Sequence, residues 1–169
     1  DEVLKTTRIE REFTATPSGE NEALVEAFDK PTGTNTSGNA NRAEGITIEH
    51  AKLSRNVMGA KISWTSKVSA FFESNWSAAG SGKDVTSARA LEFRVARRSA
   101  DGPTAPPLNF SVELVDASGK ASNQIKVVDY ASLLSPVHSE VTLQTVRVPM
   151  TAFNGVNLAA IRSVRFVFN

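Results

Sequence analysis

Cysteine is absent from this 169-residue chain, which excludes disulfides, thiolate chemistry and any cysteine-ligated zinc. Its absence leaves the compartment open, because only small secreted scaffolds depend on disulfides for stability. An excess of charge is missing too: 19 Lys plus Arg stand against 18 Asp plus Glu, a net of +1. That balance gives no case for nucleic-acid binding, which needs a clustered basic face. No stretch approaches the roughly 20 consecutive apolar residues that a spanning helix requires. Aromatic residues make up only 7% of the chain. The opening Asp1-Glu2-Val3 shows neither a start Met nor a signal-type apolar run and reads as a processed or excised end.

Sustained helical periodicity is also scarce. Residues 18–28, with Ser18 as a cap, and residues 131–134 hold at most a turn or two each. What the chain does have is alternation in steps of two, the period of a half-buried strand. Leu91, Phe93 and Val95 alternate with Glu92, Arg94 and Ala96, and Phe110, Val112 and Leu114 with Ser111, Glu113 and Val115. Ile125 and Val127 flank Lys126, Val146 and Val148 flank Arg147, and Val164, Phe166 and Phe168 enclose Arg165 and Val167. Further strands are expected over residues 5–13, 24–28, 46–53, 60–64 and 69–73. Turn residues divide them: Asp116-Ala117-Ser118-Gly119-Lys120 as a hairpin connection, and residues 31–41, 77–83 and 101–107 as loops. A domain of this length buries roughly 70% of its unfolded surface without metal or disulfide. The expectation is an all-β fold, an antiparallel two-sheet β-sandwich with little helix.

No catalytic constellation stands out. His50 and His138 are far apart and neither has a second ligand at metal spacing. The nucleophile-elbow, zinc-protease and phosphate-loop patterns are all missing. Glu92 and Glu113, expected on neighbouring strands, are the one carboxylate pair to weigh. Cross-strand pairing with Arg94, Arg147 and Arg165 accounts for them better, at about 0.2–1 kcal/mol each. The chain reads as a binder and not as an enzyme.

The closing segment carries a resemblance. Val146-Arg147-Val148-Pro149 runs into Met150-Thr151-Ala152-Phe153, an Asn157-Leu158 turn follows, and Ile161 to Asn169 ends the chain. This resembles the last strands of the galactose-binding-domain-like jelly rolls, which include many non-catalytic carbohydrate-binding modules and the complex I intermediate-associated protein family. Phe28-Asp29 followed by an Asn/Gly-rich loop, an aromatic strand near Trp76, and the runs around Phe93 and Val112 fit the same pattern. The resemblance covers most of residues 24–169, the expected sandwich, and leaves residues 1–23 as an arm or extra strand.

The resemblance implies a module that binds a polysaccharide or oligosaccharide on a concave sheet face or on rim loops. It implies tethering to a larger catalytic or surface protein, at an extracellular, cell-surface or periplasmic location. Sugar sites combine an exposed aromatic ring with fixed polar groups. Glu92, Arg94, Glu113, Lys126, Arg147 and Arg165 supply the polar half, and Trp76 and Tyr130 the aromatic half. Phe71 and Phe72 are adjacent, so one must leave the core, and Phe72 joins the candidate set. Trp64, in phase with Ile62, is expected in the core. No cofactor is required. Related modules often hold a structural calcium, and the matching positions are Asp29, Asn35 and Asn169. Calcium takes six to eight oxygens, and turn roles explain the same three residues. The alternative is a structural or protein-interaction sandwich, in which Val3-Leu4-Lys5-Thr6-Thr7-Arg8-Ile9 adds a strand to a neighbour.

Overall fold

The computed structural model describes residues 40–42, 46–52, 58–64, 70–97, 108–133 and 143–168. These form nine strands: β1 (Ala40–Arg42), β2 (Ile46–Lys52), β3 (Met58–Trp64), β4 (Ala70–Asn75), β5 (Ala90–Val95), β6 (Ser111–Asp116), β7 (Ile125–Lys126), β8 (Gln144–Pro149) and β9 (Ile161–Phe168). Among the described residues the only helical pieces are single 3-10 turns at Val127–Asp129, Met150–Ala152 and Leu158–Ala160. All strand pairs are antiparallel. The all-β, sandwich expectation holds.

One layer is a five-stranded sheet in the order β1-β4-β9-β6-β7. The other consists of two ribbons, β2-β3 and β5-β8. The chain therefore changes layer between β1 and β2, β3 and β4, β4 and β5, β5 and β6, β7 and β8, and β8 and β9, which places the last strand at the centre of the large sheet. Inward side chains from both layers meet in a single core. The ribbons contribute Ile46, Ile48, Ile62 and Trp64 from β2-β3 and Leu91, Phe93, Val146 and Val148 from β5-β8. The sheet contributes Phe72, Val112, Leu114, Val164, Phe166 and Phe168.

The few aromatics are concentrated at this seam. Trp64 packs on Phe168 at 4.3 Å between ring centroids, Phe168 on Phe110 at 5.4 Å, and Phe93 edge-on against Phe166 at 5.3 Å. Each such pair contributes about 0.5–1.5 kcal/mol beyond the area it buries. Among the described phenylalanines, Phe71 alone stands outside the core.

Three sequence expectations are corrected. Ala40 and Asn41, read as loop, belong to β1, where pairing with β4 overrides their weak strand preference. The turn expected over residues 131–134 falls instead at Val127–Asp129, and residues 131–133 belong to no helix or strand. Glu92 and Glu113 are not on neighbouring strands: β5 pairs with β8, and β6 lies between β9 and β7. The strands expected over residues 5–13 and 24–28 lie outside the described residues.

The loop after β4 is fastened across the end of β9. Lys83 and Ile161 exchange backbone hydrogen bonds of 2.7 and 2.8 Å, and Val85 N–H donates to the Leu158 carbonyl at 2.9 Å. Gly82 allows the approach, because a Cβ there would collide with the Ala160 backbone. The β6-β7 connection turns on Gly119, at φ +85°, a conformation that costs most residues about 1–2 kcal/mol. Asp116 ties this turn to the connection that precedes β9. One carboxylate oxygen accepts from Ser118 and Lys120 N–H at 2.9 and 3.0 Å, and the other from Asn157 N–H at 3.2 Å.

Candidate functional site

On the outward side of the five-stranded sheet, three charged residues lie in register on its three central strands. Arg165 of β9 stands opposite Glu73 of β4 and opposite Glu113 of β6. Its guanidinium donates to Glu73 through Nη2 at 3.0 Å and Nε at 3.3 Å, and to Glu113 through Nη1 at 2.8 Å. Arg162 Nη2 donates to the other Glu73 oxygen at 2.9 Å, and Ser163 Oγ donates to that same atom at 2.5 Å. Phe71, diagonal to Arg165, offers its ring face 4.7 Å from Cζ, a cation–π distance.

A regular strand would send Arg162 and Arg165, three residues apart, to opposite faces. The strand is not regular there. Val115 pairs with Ser163 while Asp116 pairs with Ile161, so β9 carries one extra residue. Such a bulge re-aims a side chain, and here it brings a second guanidinium to Glu73. Glu73 and Glu113 are buried, whereas Arg162 and Arg165 keep 23% and 25% of their side chains exposed. The outward face is therefore a fixed and largely buried polar layer, and the partly exposed residues on its three central strands are Arg162, Arg165 and Phe71. Arg162 Nε is buried and has no acceptor among the described residues, an omission of the kind that costs about 1–3 kcal/mol.

Electrostatics define what this layer can do. Burial alone would raise the Glu73 pKa, but hydrogen bonds from Ser163 and Arg162 and the charge of Arg165 outweigh it and hold the carboxyl below its ordinary range. A glycosidase acid must keep its proton near neutral pH. Glu73 is tuned in the opposite direction. The cluster holds two carboxylates against two guanidiniums, so it presents oriented donors with no net charge.

The residues expected from the sequence are split across the molecule. Glu92 and Arg147 do meet, opposite each other on β5 and β8 at 2.9 Å. They lie on the outward side of the other layer, with Arg94 half-buried beside them. Glu113 is buried in the polar layer of the large sheet, not on a solvated face with Glu92. Lys126, exposed on edge strand β7, pairs with Ser111 and shares the outward phase of Glu113. Tyr130 is exposed, as expected, just past the 3-10 turn.

Phe72 and Trp76 are corrections. Phe72 is 1% exposed and stacks on Phe166, and Trp76 is 6% exposed. Both follow the inward phase of Ala70, so the phenylalanine that leaves the core is Phe71. Asp29, Asn35 and Asn169, expected at a calcium site, lie outside the described residues, as does His138. Among the described residues no group of three His, Cys, Asp or Glu is placed to hold a metal ion. No described helix is long and apolar enough to cross a membrane.

Sequence reasoning missed Glu73, Arg162 and Ser163. The visible signal for Glu73 was a lone charge inside an aromatic strand, Phe71-Phe72-Glu73. The bulge that recruits Arg162 leaves no comparable mark.

No family model matches the sequence, and no curated protein matches it. Solved structures do share its fold. A crystal structure of a family 30 carbohydrate-binding module superposes with a TM-score of 0.56 at 14% identity, over 89% of this chain and 82% of that one. The family 30 carbohydrate-binding module of a cellulosomal cellulase of Clostridium thermocellum gives 0.54 at 13% identity, over 87% and 89%. The fold is that of a carbohydrate-binding-module jelly roll.

Proposed function

We propose that this domain is a non-catalytic carbohydrate-binding module whose recognition surface is the outward face of the five-stranded sheet. The observation that carries the reading is the fold likeness, which extends over 89% of this chain and 82% of a family 30 module. The polar layer supports it in chemical terms. Sugar hydroxyls bond to fixed donors and acceptors while their C–H faces rest on aromatic rings. Here Arg162 and Arg165 are fixed by Glu73, and Phe71 is the ring packed against Arg165. Lys126 extends the exposed polar surface at the edge of the same sheet, and the exposed Tyr130 follows the 3-10 turn after that edge strand. Donors already held in place lose little freedom on binding.

In this reading the ligand is a polysaccharide or oligosaccharide. The domain is tethered, outside the cell or at its surface, to a catalytic or surface protein whose local concentration it raises. Native gels containing single soluble polysaccharides test it. Retardation by at least one glycan is expected, weakened at least tenfold by Phe71→Ala with the fold retained by circular dichroism. Free migration through every gel of a broad panel would overturn the reading.

A further inference from the structure

Charge matching on the outward face has a consequence for ligand choice. A guanidinium fork is a strong receptor for a carboxylate, since charge-assisted paired hydrogen bonds suit its planar geometry. Two forks at the surface would favour acidic polysaccharides, those built from uronic acids. Both guanidiniums are already paired: Arg162 through Nη2 with Glu73 at 2.9 Å, its Nε buried out of reach of solvent, and Arg165 through all three nitrogens with Glu73 and Glu113 at 2.8–3.3 Å. These carboxylates are part of the chain, so a uronate from solution competes with an intramolecular partner held at high effective concentration. It would also bring a third negative charge beside two buried ones, a repulsion of the kind that builds specificity against a competitor.

We propose that Glu73 and Glu113 are specificity-determining residues that mask Arg162 and Arg165 from uronate carboxylates and keep this face selective for uncharged sugars. The proposal rests on the sugar-binding reading above and adds which ligands the face rejects and how. Glu73 and Glu113 act through the arginines, as positioning residues, and need not touch the sugar.

The test measures a gain, which a merely damaged fold does not produce. Wild type, Glu113→Gln and Glu73→Gln are run in native gels containing polygalacturonate or a neutral polysaccharide. Circular dichroism confirms that each variant is folded, and either folded variant suffices. Retardation by polygalacturonate is expected to rise at least tenfold in the variants at low salt. It should fall again with added salt and disappear in Glu113→Gln/Arg165→Gln.

Glu92→Gln is the control. It changes net charge by the same amount but lies on the opposite layer, paired with Arg147, and should stay within twofold of wild type. Folded variants that ignore polygalacturonate, or a control that gains as much, would overturn the masking role. If no neutral polysaccharide retards wild type but the gain appears, the sugar-binding role falls and the masking stands. If neutral binding holds and the gain is missing, the masking falls alone.

Discussion

Arg162 reaches the Glu73 carboxylate, 89 residues away in sequence, because β9 has one residue more than β6 at that point. The contact completes a carboxylate that already accepts from Ser163 and Arg165 and is almost fully buried. Removing one partner of a buried ion pair leaves the other charges uncompensated, at a cost of about 3–5 kcal/mol. Glu73→Ala is therefore expected to lower stability by about that amount in urea unfolding. Arg162→Ala should cost less, about 1–2 kcal/mol, because Arg165 and Ser163 still satisfy Glu73. Equal losses in the two variants would show that Arg165 does not hold Glu73 by itself.

The same carboxylate sets the acid limit of the fold. Its pKa lies below the ordinary 4.5, and the Asp116 pKa lies below 3.8, chiefly through the Ser118 hydroxyl. Each group binds fewer protons folded than unfolded just below its ordinary value. Each thus contributes stability that is complete above that value and is lost as pH falls through the lower folded pKa. Melting temperature should stay level from about pH 7 down to about pH 5 and drop below about pH 4.5. Glu73→Gln, less stable at neutral pH, should show a shallower drop. A parallel fall in both proteins would remove Glu73 from the account.

Much of the fold was legible because inward rows of Phe, Val, Leu and Ile repeat at period two, and pairs such as Phe93 with Val146 are the result. The Pro149, Phe153 and Asn157-Leu158 markers placed the final strand correctly. The site was less legible, for two physical reasons. Strand neighbours depend on layer changes, so Glu92 and Glu113 looked adjacent although they belong to different layers. Burial on both faces also breaks the rule that polar phase means solvent: β6 is buried along its whole length, Glu113 included. Phe72 and Trp76, four residues apart and in one phase, were misplaced together, because the sequence does not say which of Phe71 and Phe72 faces inward.

Gly82 and Gly119 offer a contrast between crowding and conformation. A methyl group at Gly82 would meet the Ala160 backbone, which cannot yield without disturbing the Lys83–Ile161 bridge. Gly82→Ala should cost about 2–3 kcal/mol, as overpacking against rigid structure does. At Gly119 the space is open, and only the φ of +85° opposes a side chain, so Gly119→Ala should cost about 1 kcal/mol. Thermal unfolding of the two variants ranks them. The reverse order would mean that the loop over β9 shifts easily.

The Glu92–Arg147 pair is as short as the contacts around Glu73, yet its energetics should differ. At 2.9 Å it matches the Arg162–Glu73 distance, but 72% of the Arg147 side chain and 37% of the Glu92 side chain face solvent. Water solvates both charges when the pair opens, and holding two long side chains together costs entropy. A double-mutant cycle of Glu92→Ala and Arg147→Ala should give a coupling below about 1 kcal/mol that shrinks with added salt. The same cycle on Glu73 and Arg162 should give a larger coupling that salt changes little, because burial and not distance separates the two pairs. Equal couplings would mean that water reaches the polar layer freely.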